Sequence, residues 1–178
     1  MTISARVDEA ITKLVAKDFE NSLVQLSIAV DATGKRKCSN DGVGKRCKKF
    51  ILEHEAFIHF IGLNGMLSST ASPMITYANK GDFGQVFYNS IRCALLHEAD
   101  VSKSIHFVEG PTIGMHDGKV IINDYLLWGL IFSIIGDGAN STEKMANSHQ
   151  INYHGTELKL NEVWGKIGEI HRITRFSS

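Results

Sequence analysis

The residues best suited to chemistry lie in one short stretch, Arg92-Cys93-Ala94-Leu95-Leu96-His97. A guanidinium is permanently charged and can grip two phosphate oxygens at once. Its charge is best used against the extra negative charge of a pentacovalent transition state. An imidazole titrates near neutrality, so it can take a proton from a ribose 2′-hydroxyl or return one to the leaving oxygen. Together the two groups suit metal-independent cleavage of RNA, whose 2′-hydroxyl is an internal nucleophile. Arg92 is read as the phosphate-stabilising catalytic residue and His97 as the proton-transfer residue.

These residues need a helix to carry them. Asp82 can cap a helix over Phe83 to Ala99. At roughly 100° per residue, Phe87, Ile91, Ala94, Leu95 and Glu98 form its core-facing stripe. Asn89, Cys93, Leu96 and His97 fall on the opposite side, with Arg92 at its rim. An outward face of Arg, Asn, Cys, His and one Leu suits contact with another helix, so a partner chain is expected to complete the site. Asn89, Cys93 and His106 are read as supporting residues. The bland alternative is an Arg92 paired with Glu98 or Asp100 and a His97 satisfied by backbone.

Arg92-x-x-x-x-His97 inside a helix of a small helical protein resembles the signature of the HEPN superfamily. That resemblance implies a bundle of about four or five helices. It also implies a metal-independent endoribonuclease acting as a homodimer, with two motifs facing each other across an RNA-cleaving site. Toxin–antitoxin or phage-defence roles go with it, and with them an antitoxin partner. Asp31-Ala32-Thr33 and Val43-Gly44-Lys45-Arg46 suggest an uncharacterised plasmid- or phage-associated bacterial branch. Active members carry Asn, Asp or His after the arginine, whereas this chain carries Cys93, a weak hydrogen-bond partner. Two readings therefore stay open: a ribonuclease, and a HEPN-like module that binds nucleotide, RNA or a partner protein, or dimerises, without catalysis.

The run Lys35 to Lys49 gathers seven basic residues with one acid between them. Lys45, Arg46, Lys48 and Lys49 are read as RNA-backbone contacts, with a solvated helix end as the alternative. The whole chain is balanced, with 19 basic and 19 acidic residues, so any nucleic-acid surface must be a local patch. Cys38, Cys47 and Cys93 are odd in number and lack CxxC spacing, which argues against a disulfide scaffold or a zinc finger. Basic neighbours lower a thiol pKa in principle, but Cys38 and Cys47 are read as incidental thiols. No GxxxxGK[ST] or His-Glu-x-x-His pattern occurs. His54 lies on an apolar helix face and reads as a core histidine rather than a ligand. Neither a metal nor another cofactor is expected.

The 178 residues, 43% hydrophobic, fit a single domain able to build a core without staples. Helices are expected from Ser4 to Asp18, from a cap at Asn21 or Ser22 to Thr33-Gly34, and over Cys47 to Ile61. Gly62 to Asp82 reads as an irregular connection. Ser104 to Val108 and Lys119 to Ile122 are expected to form a β-hairpin. Asn123 or Asp124 should cap an apolar helix, Tyr125 to Ile135, too short to span a bilayer. A polar stretch, Ala139 to His149, precedes a second hairpin over Ile151 to Leu160 and a last helix capped by Asn161. The fold class expected is mainly α: a HEPN-like bundle of about five helices with one or two small β-hairpins. Its core would be about residues 4–135, and 151–176 a C-terminal addition. The N-terminus has no apolar h-region, so a cytoplasmic protein without membrane contact is expected.

Overall fold

A computed structural model of the chain describes residues 1–66, 77, 80–97 and 101–177, with only the backbone described at Leu96 and His97. Three long helices open it: α1 (Ile3–Val15), α2 (Phe19–Lys37) and α3 (Val43–Gly62). Thr2 caps α1 by accepting from the Ala5 N–H, and Asp18 caps α2 by accepting from the Asn21 N–H. The cap of α2 therefore precedes the Asn21 or Ser22 expected. Helix α2 also runs past Gly34, which is no stop but a close approach: a Cβ there would stand 3.0 Å from the Arg46 carbonyl oxygen on α3.

The helix carrying the chemical motif is built in three pieces: α4 (Phe83–Val86), a π-helical turn (Phe87–Arg92) and α5 (Cys93–His97). Asp82 caps it as expected, accepting from the Gln85 N–H at 2.7 Å. It packs closely on α3 through two glycines. A Cβ at Gly44 would stand 3.0 Å from the Tyr88 ring, and one at Gly84 would stand 3.0 Å from the Lys48 carbonyl oxygen.

Helix α6 (Asp124–Gly136) is apolar all round, as a central helix must be. Leu126, Leu127, Leu130, Ile131, Phe132, Ile134 and Ile135 are all buried. The Asn123 side chain caps it through the Leu126 N–H (2.6 Å) and donates to the Gly62 (2.9 Å) and Thr112 (2.7 Å) carbonyls. One residue thus ties α6, the end of α3 and the sheet together.

The sheet corrects the sequence-based expectation. Strands β1 (Ile105–Val108), β2 (Gly114–His116) and β3 (Lys119–Asn123) lie in the order β1-β3-β2. The two segments expected to form a hairpin, β1 and β3, instead run parallel, Ile105 opposite Val120 and Phe107 opposite Ile122. The hairpin is β2–β3, turning at Asp117-Gly118, both at positive φ. A second pair, β4 (Gln150–Tyr153) and β5 (Thr156–Lys159), is antiparallel, and a last helix, α7 (Ile167–Thr174), follows. The HEPN-like bundle is therefore not what forms. The protein is mainly α, but a parallel strand pair and two small sheets are built into it, and residues beyond 135 share the core through Tyr153, Leu158, Leu160, Trp164 and Ile170.

Among the described residues, no helix is long and apolar enough to cross a membrane.

Candidate functional site

The π-helical turn decides where the motif arginine points. The Cys93 N–H donates to the Tyr88 carbonyl, five residues back. A wider turn of this kind inserts a residue relative to an α-helix, so the uniform 100° step assumed from sequence does not hold across it. Phe87, Ile91 and Ala94 keep the core side. Arg92 does not stand at the rim of an outward face; its side chain is only 13% exposed and lies against α2, with Nη2 3.7 Å from Asp31 Oδ2. Among the described residues its ion-pair partner is Asp31; the Glu98 or Asp100 partner considered from sequence lies outside the described residues.

Asp31 also holds Arg46, whose Nε donates to Oδ1 at 2.5 Å. That bond raises the Arg46 pKa further above its ordinary value. Lys48 and Arg92 both stand against the Tyr88 ring, 5.6 and 5.8 Å from its centroid. Lys48 donates to Gln85 Oε1 at 2.8 Å, and Asn89 reaches the same oxygen at 3.3 Å. Three cations, Arg46, Lys48 and Arg92, thus gather around one aromatic ring and one carboxylate. Arg92 Nε is buried with no hydrogen-bond partner among the described residues.

The other sequence-derived site residues fall elsewhere or apart. Lys45 and Lys49 are both held by Asp41, at 2.8 and 2.6 Å, which lowers the Asp41 pKa. His106 packs against His116 across the small sheet, with ring centroids 5.0 Å apart. Cys93 is a half-buried free thiol. His97 closes α5, and its side chain, like that of Leu96, lies outside what is described. Cys47 is buried, and burial together with the nearby Asp31 charge pushes its thiol up to about 12, so the basic neighbours do not activate it.

His54 is a core histidine, as its apolar helix face implied: it is buried, with Nε2 3.2 Å from Asp137 Oδ2. Glu53, His54 and Asp137 offer ligand atoms within 4.8 Å of one another. The Lys37 ammonium sits among them, 2.6 Å from Glu53 and 2.8 Å from Asp137, where a cation would go. His59 is fully buried beside Tyr77, whose hydroxyl is 2.9 Å from Nε2.

The structure thus defines an α-rich protein with two small sheets and a half-buried cationic cluster at the junction of α2, α3 and the π-helical turn. The chain belongs to the Rv1289 family, whose profile matches residues 2–178. No curated protein and no solved structure matches it.

Proposed function

We propose that this protein binds RNA through phosphate contacts at the Arg46–Lys48–Arg92 cluster. The observation that supports this reading is the imbalance there: two cations, Lys48 and Arg92, against Tyr88, a third, Arg46, beside Arg92 on Asp31, and that one carboxylate to offset them. A phosphate supplies the missing negative charge, and partial burial makes each charge-assisted bond stronger than it is in open water. Tyr88 adds an aromatic surface to the same patch.

Cleavage is the second reading, favoured by His97 five residues beyond Arg92 on the same helical run. In it Arg92 offsets charge on the transferring phosphorus, and His97 moves the proton of the 2′-hydroxyl. A second copy of the chain completes the site.

Fluorescence anisotropy with labelled single-stranded RNA across a salt series tests the binding reading. Arg92→Ala should weaken binding about 5- to 20-fold and flatten the salt dependence by about one phosphate contact. Absence of saturable binding at low salt by the wild-type protein defeats the proposal. RNA degradation in EDTA, lost in His97→Ala while affinity is retained, separates cleavage from binding alone.

A further inference from the structure

The three-stranded sheet brings two histidines together on the face turned away from the core. Ile105 and Val120 are paired and buried, so the next pair, His106 and Ile121, lies on the opposite face. Gly114 pairs with Ile121 and His116 with Lys119, which puts His116 on that face as well. His106 stands on β1 and His116 on β2, the two strands that flank β3. Strands two apart in a sheet are separated by about 10 Å. The two imidazole rings nevertheless lie with their centroids 5.0 Å apart, so the side chains lean toward each other over β3. Gly114 leaves room for this. It ends the row His106–Ile121–Gly114 without a side chain, and a Cβ there would meet nothing within 4 Å.

Two imidazoles side by side are the donors that a divalent transition metal selects. Zn–N bonds of about 2 Å at a tetrahedral angle put two ring centroids about 5 Å apart, the spacing found between His106 and His116. A third donor is beside them. Asp117 Oδ2 lies 3.4 Å from His116 Nε2, close to the edge of a tetrahedron built on such bonds. Both side chains are well exposed, so each can turn toward an ion without disturbing the fold. Among the described residues His106 has no hydrogen bond or ion pair that a metal would have to break. The Glu53–His54–Asp137 group differs in this respect, because the Lys37 ammonium already fills it. Lys119, the cross-strand partner of His116, is the charge on this face that opposes a cation.

We infer that His106 and His116 bind one Zn²⁺ ion, with Asp117 and water completing its shell. The ion clamps β1 to β2 across β3. The site is independent of the RNA reading, since Arg46, Lys48 and Arg92 take no part in it.

Calorimetric titration of the full chain with Zn²⁺ should show one site per chain in the micromolar range. His106→Gln and His116→Gln should each weaken it about tenfold or more, because a direct ligand matters no less than an outer-shell partner. Lys119→Met removes a like charge and should tighten binding about two- to fivefold. That gain is a readout that misfolding cannot mimic, and melting curves without metal show whether the two glutamine variants are folded. Glu53→Gln, at the group that Lys37 fills, should leave the affinity unchanged. During the titration the imidazole signals of His106 and His116 should move together, while those of His149, bonded to Asp8, stay in place. Zn²⁺ should raise the melting temperature of the wild type by mass action and leave that of His106→Gln where it is. No saturable Zn²⁺ binding overturns the inference. Wild-type affinity in either folded histidine variant overturns it too, as does binding that Glu53→Gln abolishes.

Discussion

Asp31 on α2 faces Arg92 across the helix junction, its Oδ2 3.7 Å from Arg92 Nη2 while its Oδ1 is taken by Arg46. At 3.7 Å the Arg92 contact is an ion pair without a good hydrogen bond. Asp31 therefore holds Arg92 loosely and competes with any phosphate for it.

Asp31→Asn removes that competitor and keeps the shape. RNA affinity should rise about two- to fivefold at low salt, with a steeper salt dependence. Stability should fall by about 1–2 kcal/mol, because Arg46 loses a charge-assisted bond in a half-buried setting. Anisotropy and urea denaturation read the two effects separately. Weaker RNA binding by a folded Asp31→Asn variant would show that Asp31 positions Arg92 rather than competing for it.

How far the sequence reached differs element by element. Period and caps located α1, α3, α6 and the Asp82 start of the motif helix to within a few residues, because local signals decide them. Thr33-Gly34 misled as a stop: Gly34 serves a close approach to α3, a tertiary demand that looks like a C-cap in one dimension. The β1–β3 pairing was illegible for a similar reason. A turn between two strands signals a hairpin, and nothing local reports that the short Gly114–His116 strand intervenes. At the site, the residue types Arg92, Arg46 and Lys48 were readable. The π-helical turn that sends Arg92 toward Asp31 was not, since no residue pattern marks it.

The polar stretch before β4 is held down by charge. Asp8 on α1 receives the Asn147 side chain at 3.1 Å and the His149 ring at 2.5 Å. Burial alone would raise the Asp8 pKa, but these bonds outweigh it and lower it. Nearby, Glu143 accepts from the Ser4 N–H (2.8 Å) and from Arg36. Asp8→Ala should cost about 1–2 kcal/mol and speed tryptic cleavage at Lys144 severalfold. Glu9→Ala, on the exposed side of the same helix, should change neither by much. Equal cleavage rates in wild type and Asp8→Ala would dismiss the latch.

Acid should weaken the fold in two steps. Burial depresses His59 from its ordinary 6.5 to about 4, so between those values the unfolded chain binds a proton that the folded chain refuses. Its contribution is complete above pH 6.5 and is lost as pH falls toward 4, about 3 kcal/mol in all. Asp137 follows. Burial would raise it, but hydrogen bonds from His54, Lys37 and the Ala139 N–H bring it from 3.8 to about 2. Its contribution is present above pH 3.8 and is lost between there and pH 2. Urea midpoints measured from pH 7.5 to 3 should fall first between 6.5 and 4. His59→Gln should flatten that first step and leave the second. A flat wild-type profile from pH 7 to 4.5 would rule out a neutral buried His59.

The contact between α3 and α6 should be an unforgiving place in the molecule. At Gly129 a Cβ would stand 2.9 Å from the Ile58 carbonyl oxygen and 3.0 Å from its Cα. Both atoms are backbone, so neither can swing aside, and the two central helices would have to separate. The helix-propensity gain of alanine over glycine is about 1 kcal/mol, whereas overpacking of a core typically costs 1–3 kcal/mol. Gly129→Ala should therefore be destabilising on balance, by up to about 2 kcal/mol, despite the better helix former. Gly138, two residues past the end of α6, has nothing within 4 Å of its would-be Cβ and no positive φ. Gly138→Ala should be neutral or slightly stabilising. Thermal denaturation of the two variants side by side gives the comparison. If Gly129→Ala melts higher than wild type, propensity outweighs the close approach, and the packing of α6 on α3 is looser than these distances imply.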